Sequence, residues 1–135
     1  MIFLDAGYLI AIAKPRDSLH ARAVGWTSKI LEPYVVTEFV LCETVDALSL
    51  PRDREKANTL IKLLRERMRC RVVEASTVLF EAGLNLHASR PDKEWSLTDC
   101  ISFCVMQEHG IRQALAYDAH FEQAGFEALL RRDPP

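Results

Sequence analysis

The chain has 135 residues, 49% hydrophobic and 27% charged, with a formal net charge of -2. That length supports one compact domain with a real core and not two. The near-neutral balance excludes a global basic field for nucleic acid, and no apolar run approaches the roughly 20 residues of a membrane span.

The opening MIFLDAGYLIAIAKP contains Ala11-Ile12-Ala13, which mimics a signal cleavage site. The segment before it lacks a basic residue and contains Asp5, so it is not read as a secretion signal. Ile2-Phe3-Leu4 predicts a buried strand, with Asp5 and Gly7 marking a turn. Asp17-Ser18 can cap a helix running to about Leu31, with Leu19, Ala23, Trp26, Ile30 and Leu31 at helical spacing. Tyr34-Val35-Val36 predicts a second strand. Thr37 then suits the N-cap of a mostly buried helix through Phe39, Val40, Cys42, Thr44, Val45 and Leu48.

Pro51 fits the first turn of a further helix whose inward stripe is Ala57, Leu60, Ile61, Leu64 and Met68. Arg71-Val72-Val73 predicts a third strand, and Ser76 caps a helix through Leu86. Arg90 to Glu94 is a polar loop. Ser96-Leu97-Thr98-Asp99 opens a helix reaching His109-Gly110. Ala114-Leu115-Ala116 predicts a fourth strand ending near Asp118, and Phe126 to Leu130 a last, edge strand. Arg131 to Pro135 is a tail. The cysteines, Cys42, Cys70, Cys100 and Cys104, form no CxxC pair. They suit buried reduced thiols of a cytosolic protein better than a zinc site.

Strands alternating with helices predict an α/β domain with a parallel sheet and helices on both faces. Ligands of such sheets bind beyond the carboxyl ends of the strands. Four acids fall at or near that edge: Asp5, Glu43, Asp99 and Asp118. Each sits among apolar residues, where a carboxylate without a partner is costly. Carboxylates gathered in one cleft repel, and a divalent cation relieves them.

Each acid also has an ordinary explanation. Asp5 could serve a turn or cap. Glu43 could be a surface residue, with Glu38 its competitor in the first turn of the same helix and Asp46 one turn on. Asp99 completes a capping-box pattern with Ser96. Asp118 could simply mark a strand exit. Two phosphotransfer patterns fail on residues. A haloacid dehalogenase needs Asp where Gly7 stands. A receiver domain needs a phosphoacceptor Asp after the third strand and a late Lys, and both are missing.

Taken with FLDAGYLIAI, VVTEFVLCETVDAL, SLTDCISFCVMQEHGI and ALAYDAHFEQAGF, the four acids resemble those of the PIN-domain ribonucleases, specifically the VapC-type toxins of type II toxin–antitoxin systems. The resemblance spans essentially the whole chain. It implies a single domain over 1–135: a three-layer α/β/α sandwich with a central, mostly parallel sheet of four to five strands, 131–135 being the tail. It places the family's metal-site acids on Asp5, Glu43, Asp99 and Asp118, with Asp5 and Asp99 as the best direct ligands.

It also implies hydrolysis of RNA phosphodiesters with Mg²⁺ or Mn²⁺, which suit hard oxygen donors. One metal would activate a water and a second, about 3.5–4 Å away, would stabilise the leaving oxygen. A cognate antitoxin, a homodimer and a cytoplasmic location are the further expectations. Lys14, Arg16 and Lys93 could contact phosphates, and Arg65, Arg67, Arg69 and Arg71 form the densest basic stretch. His120 is expected to support the turn after Asp118.

One departure is that Ala116 and Tyr117 stand where many relatives carry Thr or Ser, leaving Thr98 or Ser102 to supply a hydroxyl. The competing functions are a non-catalytic RNA- or protein-binding module on the same fold, and a metal-dependent DNA nuclease or phosphatase.

Overall fold

A computed structural model describes residues 1–66 and 68–135. The strands are β1 (Ile2–Leu4), β2 (Tyr34–Thr37), β3 (Cys70–Val73), β4 (Gln113–Leu115) and β5 (Glu127–Ala128). The helices are α1 (Ala6–Ala13), α2 (His20–Thr27), α3 (Glu38–Ala47), α4 (Arg54–Glu66), α5 (Thr77–Ser89), α6 (Leu97–Glu108) and α7 (Ala119–Gln123). A 3-10 turn follows at Leu129–Arg131.

The five strands lie in the order β3-β2-β1-β4-β5 and every neighbouring pair is parallel. From β1 the chain steps outward to β2 and β3, then returns across the sheet to β4 on the other side of β1. Right-handed crossovers therefore put α1 to α4 on one face and α5 to α7 on the other. The helix contacts largely agree: α1 packs on α2, α3 and α4, and α6 on α5 and α7, while α3 and α6 also meet across the sheet edge. This is the expected three-layer sandwich, here with five wholly parallel strands.

The core is apolar because both sheet faces are covered. Phe3, Leu4, Val35, Val36, Ala114 and Leu115 are all fully buried. On the second face Phe103 meets Trp95 and Phe121 edge-on, with centroids 5.1 and 5.0 Å apart. That cluster seats α7, and so the segment after Asp118, against α6.

Three expected caps are present: Thr37 accepts from Val40 N, Ser76 from Leu79 N and Ser96 from Asp99 N. Several expectations change. Pro51 lies in the turn before α4 rather than in its first turn, and Met68 falls beyond the helix, which spans Arg54–Glu66. The turn at Asp5 leads straight into α1, an almost wholly apolar helix. The helix after Asp17 starts at His20 and stops at Thr27, leaving Leu31 83% exposed; Asp17 instead accepts from Leu19 N in the preceding turn. The last strand is only Glu127–Ala128, because Leu129 and Leu130 fold inward through the 3-10 turn to full burial.

The segment after Leu130 lies against α2. Trp26 donates its indole N–H to Arg132 O, and Arg22 pairs with Asp133. Among the described residues no helix is long and apolar enough to cross a membrane.

Candidate active site

In this strand order β1 and β4 are the neighbours from which the crossovers leave in opposite directions. A crevice opens beyond the carboxyl ends of such a pair. The register aligns Leu4 with Leu115, and Asp5 N donates to Leu115 O at 3.2 Å. Asp5 is thus fixed at the mouth of the crevice, with Asp118 three residues past the end of β4.

Asp5 occupies the N-cap position of α1 in extended conformation, yet its side chain makes no cap hydrogen bond. It is only 9% exposed. Burial pushes its carboxyl up to about 7, and the negative charge of Asp99 adds to the rise. Glu43 and Asp118 push the same way, while the Ala6 backbone amide opposes them. Asp5 therefore senses all three of the other acids. Its one local contact is the Ala6 amide, and it makes no hydrogen bond of the usual helix cap.

Glu43 lies on the rim, on the outer turn of α3. It reaches solvent, but surrounding packing still raises its carboxyl; Asp99 contributes and the Thr98 side chain pulls the other way. Its competitor Glu38 is committed elsewhere, accepting from Ala75 N at 2.7 Å and so tying α3 to the turn after β3. Asp46 is exposed.

Asp99 does two jobs at once. It completes the capping box, with Asp99 N donating to Ser96 Oγ at 3.0 Å and Ser96 N donating to Asp99 Oδ2 at 3.2 Å. The same Oδ2 faces His120 Nδ1 at 3.0 Å. Asp118 caps α7 through Oδ1, which accepts from His120 N at 3.0 Å, and its Oδ2 stands 3.3 Å from His120 Nδ1. Asp99, Asp118 and His120 each offer a ligand atom within 4.8 Å of the others.

His120 is therefore more than a support for the turn. It is the polar link between α6 and α7, between two acids. The other histidines described in hydrogen bonds are structural: His20 Nδ1 meets Ala11 O and His109 Nδ1 meets Val105 O.

No Thr or Ser stands just before Asp118. Ala116 is fully buried, with its carbonyl accepting from Leu130 N, and Tyr117 projects outward beneath Arg131. Thr98 faces Glu43 instead. Ser102, one turn beyond Asp99, is fully buried, and its Oγ has no partner among the described residues. Of the expected phosphate contacts, Lys93 lies over the Trp95 ring at 6.0 Å, on the loop leading to Ser96. In the basic stretch Arg65 and Arg71 are exposed and Arg69 donates to Leu31 O; Arg67 lies outside the described residues.

Asp99, Asp118 and His120 stand within ligand reach of one another, with Asp5 and Glu43 outside that group but acting on it through charge. Together they offer hard oxygen apart from His120, and the deepest of them is a buried carboxylate surrounded by like charge without a basic side chain to neutralise it. Protonation or a cation would each relieve that repulsion, and only a cation does so with the acids ionised.

The family model for the PIN domain matches residues 2–127. The chain is 33% identical over 128 residues to the 23S rRNA-specific endonuclease VapC20 of Mycobacterium tuberculosis, in strains CDC 1551 / Oshkosh and ATCC 25618 / H37Rv alike. The match covers 93% of this chain and 95% of that protein. The crystal structure of Mycobacterium tuberculosis VapC20, a sarcin–ricin loop cleaving toxin, superposes with a TM-score of 0.86 at 25% identity, covering 93% of this chain and 96% of that one. FitAcB from Neisseria gonorrhoeae has the same fold, with a TM-score of 0.69 at 19% identity over 95% of this chain and 96% of that one.

Proposed function

Since the chain belongs to the PIN-domain family, we propose that it is a metal-dependent endoribonuclease of the VapC type, the toxin of a toxin–antitoxin pair. The observation that carries the metal-dependent chemistry is Asp5, a carboxylate held buried, uncapped and among three other acids. A module that only bound RNA or protein would gain nothing from a buried charge of that cost.

Asp5 and Asp99 are assigned as the direct ligands of Mg²⁺ or Mn²⁺. When bound, the ion supplies Lewis acidity at the scissile phosphate and a nucleophilic water at neutral pH. Asp5 would hold the ion in its ionised form, so its raised carboxyl would couple ion binding to proton release. Glu43, at the solvent-facing rim, would ligate the ion or orient the water it activates. Asp118 contributes from the far side of the crevice, and His120 positions Asp118 and Asp99 relative to each other. Thr98 holds Glu43.

VapC20 is named for 23S rRNA, and its structure for the sarcin–ricin loop. The 33% identity over nearly both full chains makes that RNA the first substrate to present here. A basic antitoxin segment complements the acidic crevice, and a homodimer is the assembly assigned to it. A cytoplasmic location agrees with four free cysteines.

The test is a metal titration on matched RNA, DNA and phosphomonoester substrates. Cutting of RNA alone, only with Mg²⁺ or Mn²⁺, supports the proposal. RNA binding indifferent to metal, with no cutting, would make the protein a binding module. Preference for DNA or the phosphomonoester would reassign its substrate.

A further inference from the structure

A second cleft of about 580 Å³ lies at the far end of α1 from Asp5. It is lined by Lys14, Arg16, Asp17, Arg52, Asp53 and Lys56 around Pro15. Two separate segments build it: the loop after α1, and the turn opening α4 with that helix's first residues. Four cations therefore converge from elements distant in sequence, in a chain whose formal net charge is -2.

The two acids of the cleft offset only part of that charge, leaving four cations against two carboxylates. Asp17 Oδ1 accepts from Leu19 N at 2.9 Å, and Asp53 is 3% exposed. Only Arg52 approaches one, with Nε 4.0 Å from Asp53 Oδ2. Lys14, Arg16 and Lys56 have no ion-pair partner among the described residues. The contrast is the larger concavity by β5, where Arg131 is paired with Glu122 and Arg132 with Glu127. Unpaired cations facing a cleft suit a polyanion; paired ones do not.

The length of α1 sets the scale of the separation between the cleft and Asp5. α1 has eight residues, so its end stands roughly 12 Å from Asp5 at about 1.5 Å per residue. A stacked strand rises about 3.4 Å per nucleotide, so that span is three to four nucleotides. We propose that Lys14, Arg16, Arg52 and Lys56 form a backbone-binding subsite that holds the RNA strand three to four nucleotides from the cut. Contacts of this kind fix register without reading sequence. The subsite rests on the ribonuclease function proposed above.

The experiment measures RNA affinity across a salt series for the full chain and for the Lys14→Gln/Lys56→Gln double variant. The probes are a 12-nucleotide strand and a four-nucleotide strand centred on the cleavage position. Each phosphate contact on a single strand contributes about 0.7 to the slope of log affinity against log salt. The double variant should lower that slope by about 1.4 on the long strand and abolish the long strand's advantage over the short one. A Lys29→Gln/Lys62→Gln control, equal in charge and outside the cleft, should keep both.

An unchanged slope and a retained length advantage in a wild type that cuts RNA would overturn the subsite alone. Equal losses in the control would overturn it too, reducing the effect to net charge. A wild type that neither binds nor cuts RNA would overturn the ribonuclease function and the subsite together. Loss of an acidic protein partner, with RNA affinity intact, would reassign the cleft.

Discussion

His120 Nδ1 lies 3.0 Å from Asp99 Oδ2 and 3.3 Å from Asp118 Oδ2. One imidazole thus joins the N-terminus of α6 to that of α7, which the Phe103–Phe121 contact holds together from below. The two acids reach the crevice from different elements, and this ring fixes the gap between them.

Replacing His120 with Ala should therefore loosen the acids without removing either. Outer contacts of this kind change metal affinity by about ten- to a hundredfold. The expected result is a metal-activation midpoint raised by that factor, with much of the rate recovered at saturating metal. A midpoint identical to wild type would show that His120 does not position the acids.

Asp5 makes the metal-free protein pH-sensitive. Its carboxyl is raised from an ordinary value near 3.8 to about 7 in the folded state. The folded protein thus holds a proton that the unfolded chain has already lost. This contribution is fully present below pH 4 and is lost as pH rises through 7. The three-unit shift corresponds to about 4 kcal/mol. In EDTA, Asp5→Asn should be more stable than wild type at pH 8, and the gap should close towards pH 4. Urea unfolding across that range checks it, and a pH-independent gap would contradict it. Added Mg²⁺ should stabilise wild type and not the variant.

Ser96 links stability to the site. Ser96→Ala removes the cap of α6, at about 1 kcal/mol. It also frees Asp99, so RNA cleavage should fall as well. Ser96→Thr keeps a capping hydroxyl and should retain both. Thermal unfolding beside a cleavage assay separates the effects, and a Ser96→Ala protein with wild-type stability would rule the cap out as a support.

Gly83 of α5 sits directly against Ile101 of α6. A Cβ there would come to 2.2 Å from Ile101 Cγ1, and to 3.2 and 3.3 Å from the Ile101 backbone N and Cα. Ala in place of an exposed helical Gly gains about 1 kcal/mol. Overpacking at a buried crossing costs about 1–3 kcal/mol. The clash includes backbone that carries Asp99, so the loss should win and Gly83→Ala should lower the melting temperature. An unchanged or higher one would mean the helices can separate freely.

Much of the site was legible because strand ends are legible. Short apolar runs closing on Asp5 and Asp118, and a Thr37 cap setting the phase of Glu43, already place acids on one sheet edge. The double role of Asp99 was half visible: Ser96-x-x-Asp99 announces the cap but not that Oδ2 also meets His120. Periodicity failed at α1 because it is apolar on nearly every side, so no stripe distinguishes helix from strand. α7 is too short to show a period. The final strand was overread because Leu129 and Leu130 are as apolar as strand residues, and only the fold shows them buried through a 3-10 turn. The cleft of Lys14, Arg16, Arg52 and Lys56 joins segments that nothing local in the sequence connects.

The most direct measurement is the cleavage rate of purified wild type, Asp5→Asn and Asp99→Asn on 23S rRNA with Mg²⁺ or Mn²⁺, each repeated in EDTA. Losing a ligand of a catalytic ion removes several kcal/mol of stabilisation, so both variants should fall by roughly a hundredfold or more. Wild type in EDTA should fall with them. Either variant cutting RNA at the wild-type, metal-dependent rate would contradict the assignment of Asp5 and Asp99 as the heart of the site.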